Sequence, residues 1–455
     1  MREPERPCLR DFLGKRHAKS ADVPDEAPTR GRCVGEGALK LTRATLSPPE
    51  QAAFALALAC TRAPSRTTSA EAVERAAREI VDWPLALRIL HRHRIAGVAQ
   101  RALPRSAAFV PEFVRQDLHR RASAIARTNL ALLGESIRLD EAFRAAGIAA
   151  GFLKGPVLSL QLFGDVGRRH SRDLDLMVDP ADLLAAFRLL ERNGYRSAAG
   201  LGADNVSDWS RRLNQWELRH DGNGTLVELH WRLCPNARMA APLAASLTWT
   251  PFDIGGGRMV STLTGDALAA YLCLHGGLHA WSRLKWLADI DALMAGDADG
   301  PRRLLHYADS VGLGRPAGQA LWLAAGLLDT PLDSETRQAL TRDRAVRSLG
   351  KVALGMMVTG GAATELEDTT FGTAGVRLSH FALAPGFGHW RAQALAALAS
   401  GDDLKHVRLP KWMAFAYPVL RPVLWASRRL NGFAASFLQR LRARRERRQD
   451  QRQES

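Results

Sequence analysis

Asp173 and Asp175 stand one residue apart in the run Arg-Asp-Leu-Asp-Leu-Met-Val that spans 172–178. Apolar residues at every second position, with carboxylates between them, predict a half-buried strand. A period of two points both aspartates to one face, side by side. Carboxylates held that close repel, and one pKa rises unless a cation sits between them. Mg²⁺ takes all-oxygen ligands and keeps positions open for substrate phosphates, so a bound metal is the economical reading.

A second carboxylate strand follows in Gly-Thr-Leu-Val-Glu-Leu-His-Trp-Arg-Leu (224–233). Leu226, Glu228 and His230 share one face, and Val227, Leu229 and Trp231 the other. If this strand pairs beside the first, Glu228 completes a cluster in which Asp173, Asp175 and Glu228 hold Mg²⁺, as a two-metal site. Such a cluster would neutralise phosphate charge during in-line attack. Glu228 would either ligate the second metal or take the acceptor's hydroxyl proton. His230 would orient Glu228 or touch substrate. Lys154 and Gly155 fall where a strand gives way to a helix, a place where a turn and a helix N-terminus meet phosphate. Lys154 would act as a point charge; Gly155 would permit close backbone approach or simply a tight turn. Arg169 precedes Asp173 by four and would hold phosphate or the aspartate pair, with Arg168 and Arg172 competing for that role. His275 and His279 are four apart with no glutamate of a zinc-protease motif between them, and the intervening glycines suggest a helix packed closely on the sheet. Arg283 and Lys285 would reach phosphates. Trp281 and Trp286 would stack a base or fill the core.

These pieces resemble the uncharacterised nucleotidyltransferase family of the DNA polymerase β-like superfamily. The resemblance rests on Leu153-Lys154-Gly155, on Arg169 to Leu176, on Val227 to Trp231, and on the run from His275 to Asp291, in that order. It covers roughly 150–295. It implies Mg²⁺-dependent transfer of a nucleoside monophosphate from an NTP to a hydroxyl acceptor, with release of pyrophosphate. One departure stands out: Lys154-Gly155 replaces the superfamily's usual Gly-Gly/Ser loop.

The elements that must position these residues give an α+β chain: a small mixed sheet with helices, flanked by N- and C-terminal helical regions. We expect a disordered arm over 1–46, rich in Arg, Pro and Gly, and a helical region over 47–147. Within it Ser47-Pro48-Pro49-Glu50 starts one helix and Asp82-Trp83-Pro84 another, and a long helix runs from about Pro111 to Gly147. The transferase core takes 148–262: strand 148–153, helix 156–163, strand 173–178, helix 180–193, a polar loop over 200–214, and a hairpin of 215–220 with 225–231 around Asp221-Gly222-Asn223-Gly224. A helical domain occupies 263–405. An aromatic and basic segment fills 406–455, where Trp412, Phe415, Tyr417 and Trp425 precede an arginine cluster.

The 455 residues carry a net charge of +16, with 46% hydrophobic and 24% charged residues. That charge favours a polyanionic partner, nucleic acid or an anionic membrane surface, the latter through the C-terminal segment. Five scattered cysteines without a Cys-x-x-Cys pair exclude a disulfide framework or zinc ribbon and read as reduced thiols. The N-terminus lacks an apolar signal-peptide core, so we expect a cytoplasmic protein, or one peripheral to a membrane. The NTP is one partner; the acceptor is open between a tRNA end, a small molecule, a protein side chain and a peptide or polysaccharide precursor. Two other classes stand beside the enzyme. One is a catalytically silent nucleotide or nucleic-acid binding module, and the other a peripheral membrane scaffold.

Overall fold

The computed structural model describes residues 46–62, 69–103, 109–197, 202–210, 213–358 and 372–397. Nearly all of the expected arm and the whole 406–455 segment lie outside these residues. The N-terminal helices are α1 (Pro48–Thr61), α2 (Ser69–Arg78), α3 (Trp83–Arg92), α4 (Ala96–Ala102) and α5 (Glu112–Ala145). Glu50 Oε2 accepts the Ser47 N–H at 2.9 Å, and Asp82 Oδ1 accepts from the Leu85 N–H at 2.8 Å, so both helix starts close as expected.

The core then alternates β1 (Ala150–Phe152), α6 (Pro156–Phe163), β2 (Leu174–Val178), α7 (Leu183–Arg192), β3 (Tyr195–Ser197), α8 (Ala203–Ser210), β4 (Gln215–His220), β5 (Leu226–His230), α9 (Ala241–Ala245), β6 (Thr250–Asp253) and β7 (Met259–Thr262). Helices follow: α10 (Gly265–Leu278), α11 (Leu284–Met294), α12 (Gly300–Ser310), α13 (Gly314–Leu328), α14 (Ser334–Arg342), α15 (Arg344–Val358), α16 (Gly372–Ser379) and α17 (Phe387–Ala397). The fold is therefore a mixed sheet between two helical regions. Among the described residues no helix is long and apolar enough to cross a membrane.

Seven strands lie in the order β3-β4-β5-β2-β1-β7-β6. β2 runs parallel to β5 and antiparallel to β1, and β1 is parallel to β7. β2 is buried along its whole length, as a central strand covered on both faces should be. Its alternation divides two cores. Leu174, Leu176 and Val178 join Val227, Leu229 and Trp231 in one core with Leu139 and Phe143 of α5 and Phe187 and Leu190 of α7. Met177 belongs instead to the core built from the flanking helices. Asp175, Glu228 and His230 project on that second side, which is where the chemistry lies.

Two expectations need correction. The polar stretch 200–214 contains α8, and β3, β6 and β7 extend the sheet beyond the strands the alternation predicts. Cys60, Cys234 and Cys273 are buried free thiols, and burial alone pushes Cys60 up to about 12.

Candidate active site

The register of β2 against β5 sets Asp175 beside Glu228 and Met177 beside His230. Parallel pairing with a period of two thus delivers the aspartate, the glutamate and the histidine to one patch of the sheet. Ligand atoms of Asp175, Glu228 and His230 fall within 4.8 Å of one another, and theirs is the one convergent set of this kind among the described residues. His230 Nε2 lies 3.3 Å from Asp175 Oδ1 and 3.6 Å from Glu228 Oε2. Gln215 Nε2 donates to the same Glu228 oxygen at 2.6 Å from the neighbouring strand. Asp173 lies just before β2 and lines the same cavity. The convergent set takes His230, however, where the alternation alone favours Asp173, and it offers one candidate metal site among the described residues, where two metals are expected from the sequence.

Lys154 and Gly155 occupy the turn between β1 and α6. The Leu153 N–H donates to the Asp175 carbonyl at 2.9 Å, extending the β1–β2 pairing by one residue. That bond sets the next side chain, Lys154, over the carboxylates, and its Nζ forms an ion pair with Asp175 Oδ1. Gly155 turns the chain at φ +107°, where a side chain would be strained, and so starts α6.

A cavity of about 400 Å³ opens above these groups. The carboxylates form its floor, and Lys154, Arg94, Arg172 and Lys285 supply positive charge around it. The remaining wall mixes polar side chains such as Ser171, Asn214 and Gln215 with an apolar and aromatic part. Tyr271, His275 and His279 come from α10 and its C-terminal end, Trp286 from α11. His279 stacks on Trp286 with ring centroids 4.8 Å apart and an interplanar angle of 19°, while His275 meets His279 edge-on at 4.6 Å. Trp281 is wholly buried and belongs to the core. Gly276 abuts the Trp281 ring, and Gly277 abuts Leu383 and Gln319, so this close packing is between helical parts rather than onto the sheet.

The charges separate the two aspartates. Burial raises both carboxyls. At Asp175 the Lys154 ammonium and the His230 bond outweigh burial and hold the group well below the usual carboxylate range. At Asp173 the Asp175 charge adds to burial, and the carboxyl is raised. Neighbouring carboxyls driven apart in this way are what acid–base and metal chemistry use. Burial also opposes charge on Lys154 and His230, but the carboxylates more than offset it and both are raised. Lys285 goes the other way: burial first, then Arg169 and Arg94, push its ammonium well below the ordinary range. Cations crowded together in a cleft suit a polyanionic ligand.

The model of the family described as uncharacterised nucleotidyltransferase matches residues 79–329, more than half of the chain. The chain belongs to this family. No curated protein and no solved structure matches it. The matched span includes the cavity-lining residues Arg94, Lys154, Asp173, Asp175, Glu228 and Lys285, and ends before His380, which also lines the cavity.

Two of the expected phosphate ligands have side chains bonded elsewhere, although Arg169 still lines the cavity. Arg169 is 4% exposed and grips Asp289 with Nε at 2.8 Å and Nη2 at 3.0 Å, so its fork is committed to a carboxylate of α11. Arg283 is not among the residues lining the cavity; its Nη1 donates to the Arg92 carbonyl at 3.1 Å. Lys285 does line it, with Nζ 3.4 Å from the His170 carbonyl.

Arg94 was not legible in the sequence. It follows α3 at φ +56°, and the preceding His93 accepts the Leu284 N–H on Nδ1 at 3.2 Å and the Lys285 N–H on its carbonyl at 3.3 Å. The run His91-Arg92-His93-Arg94 is therefore tied to α11. Gly97, on the first turn of α4, then meets the loop that carries Arg169 to Asp173. A Cβ on Gly97 would fall 2.2 Å from the Gly167 carbonyl oxygen. Gly97→Ala is expected to cost about 1–3 kcal/mol by overpacking, read by urea unfolding. It should also weaken Mn²⁺ binding, because the backbone that must yield is the one leading to Asp173.

Proposed function

We propose that this protein is a metal-dependent nucleotidyltransferase that moves a nucleoside monophosphate from an NTP to a hydroxyl acceptor, with 148–262 as its transferase core. The observation that carries the reading is the pairing of Asp175 with Glu228 on the floor of a cavity ringed by Lys154, Arg94, Arg172 and Lys285. The donor set suits a divalent cation. It offers two carboxylates and an imidazole, and Asp175 Oδ2 is buried with no hydrogen-bond partner. Mg²⁺ or Mn²⁺ fits such a mixed set. When bound, the metal would supply charge neutralisation at the reacting phosphate.

The chain's own residues would do the rest. Asp175, Glu228 and His230 would hold the cation. Lys154, Lys285, Arg94 and Arg172 would draw in and orient the triphosphate, since phosphoryl transfer depends on positioning and electrostatics. Asp173, whose raised carboxyl stands beside the ligand set, would either take the acceptor's proton or ligate a second cation that arrives with the nucleotide. Arg169, which lines the cavity but is paired with Asp289, would act through the loop it anchors. We assign the reaction to the cytoplasm, or to the surface of an anionic membrane. The scattered cysteines of the sequence, without a Cys-x-x-Cys pair, support the first and the net charge of +16 the second, and fractionation of tagged protein tests them.

The silent-module reading has one observation in its favour: Lys154 already neutralises Asp175. A single experiment separates the two. Wild type and Asp173→Ala/Asp175→Ala protein receive α-labelled NTPs with Mg²⁺, using total RNA and a metabolite extract as acceptor pools. Label appearing on an acceptor with wild type alone establishes transfer and shows the acceptor class. Metal-dependent NTP binding with no label in either pool favours the silent module, and no metal-dependent binding removes the nucleotide reading.

A further inference from the structure

Lys154 stands where neither a phosphate ligand nor a solvated turn lysine is expected. Its side chain is 11% exposed, and its ammonium contacts Oδ1 of Asp175, whose own side chain is 1% exposed. His230 approaches that same oxygen, while Oδ2 has no hydrogen-bond partner. Asp173 and Glu228 are near enough to add to the attraction on Lys154. The β1–β2 register fixes this placement, because the Leu153–Asp175 backbone bond leaves the lysine next to the carboxylates at the edge of the cavity.

We propose that Lys154 is a built-in counter-cation which holds the carboxylate cluster together before metal arrives, and which metal binding displaces onto the nucleotide's phosphates. The inference rests on the metal-dependent reading above and adds an order of events to it. A divalent cation held by Asp175 and an ammonium on the same buried carboxylate would be like charges at close range, and they would repel. The singly charged partner would give way. A flexible four-carbon stem lets the ammonium swing without moving the backbone. The nearest place that would welcome it is an anion in the cavity, where Arg94 and Lys285 also converge. Lys154 is thus a positioning residue for the carboxylates in one state and a phosphate ligand in the next.

The consequence is two effects of opposite sign from one substitution. Lys154→Met removes the competitor, so Mn²⁺ binding to the nucleotide-free protein, followed by the electron paramagnetic resonance of free Mn²⁺, should tighten by about tenfold, in line with the loss of a buried like charge. The metal-free variant should also melt below wild type, since three carboxylates lose their shared cation, and Mn²⁺ should raise its melting temperature by more than it raises that of wild type. At saturating Mn²⁺ the same variant should bind a non-hydrolysable NTP about tenfold more weakly, the loss expected for one charge-assisted phosphate contact. Lys154→Gln, one atom shorter but uncharged with a polar end, gives the same pair of signs and serves if the methionine variant does not fold. Asp175→Asn is the control for the site itself. If Asp175→Asn binds Mn²⁺ as wild type does, or if neither binds, the metal-dependent reading fails and takes this inference with it. If Mn²⁺ binding depends on Asp175 but Lys154→Met binds it no more tightly, the counter-cation role alone is overturned.

Discussion

Asp175→Asn is expected to reduce nucleotidyl transfer by about a thousandfold or more, roughly 4 kcal/mol of barrier, while the protein still folds. The amide keeps the volume of the carboxylate in a strand that is buried throughout, so the packing of Leu174 and Leu176 on the opposite face is untouched. It removes the charge that attracts Lys154 and His230, and by itself breaking a buried pair would cost several kcal/mol. The same change, however, relieves the repulsion among Asp173, Asp175 and Glu228, which offsets part of that cost. Metal binding has no such compensation: the convergent set falls from two carboxylates and an imidazole to one of each. Rate of label transfer and the far-ultraviolet circular dichroism spectrum, measured on the same preparation, check the two halves. Wild-type turnover in Asp175→Asn would remove the carboxylate cluster from the mechanism. Glu228→Gln should lose less, because Glu228 is the more exposed ligand and already shares its Oε2 with Gln215.

The parts of this site that were legible in the sequence are those set by local periodicity. Alternation in 172–178 and 226–231 fixes which side chains share a face, and the sheet kept both assignments. Pairing β2 with β5 required only that two buried strands find one another. Arg94, His170 and His380 carried no such signal, because tertiary packing brings them to the cavity from a helix-following turn, a loop and a C-terminal segment. Arg94 even adopts a left-handed backbone conformation that no local rule assigns to arginine. β6 is largely exposed and shows no alternation of burial, so period-two reasoning had nothing to detect there. Arg169 lines the cavity near Asp173, as its closeness in sequence suggests, but its partner Asp289 is 120 residues away and that pairing has no local signal. One clue was present. Asp289 and Asp291 sit in the apolar stretch Leu-Lys-Trp-Leu-Ala-Asp-Ile-Asp-Ala-Leu-Met, and carboxylates on the buried side of a helix demand partners. Asp289 takes Arg169, and Asp291 accepts from Thr330 Oγ1 at 2.6 Å.

Asp289→Ala should therefore destabilise the fold by about 3–5 kcal/mol, the range for stripping one partner from a buried ion pair. Asp289 is 1% exposed and Arg169 4%, so the guanidinium left behind would be a buried charge stripped of its bidentate partner. The damage should not stop at stability. Asn129 Nδ2 donates to the Arg169 carbonyl at 2.8 Å, and the Arg169 N–H reaches Ser159 Oγ at 3.2 Å. Through these bonds Arg169 knits α5, α6 and α11 to the loop that ends at Asp173. Loss of Asp289 frees that loop, and metal affinity should fall with it even though Asp289 touches no ligand. The phosphate-ligand reading of Arg169 makes the contrary prediction, for a guanidinium released from Asp289 would then turn to the triphosphate and tighten NTP binding. Urea unfolding together with Mn²⁺ and NTP titrations of Asp289→Ala distinguish the two. Arg169→Met/Asp289→Leu completes the argument: an apolar pair of similar volume should restore most of the stability, because a buried ion pair contributes little beyond what good packing supplies. Recovery of Mn²⁺ binding in that double variant would show that the loop needs to be held, and that the charge holding it is incidental to the chemistry.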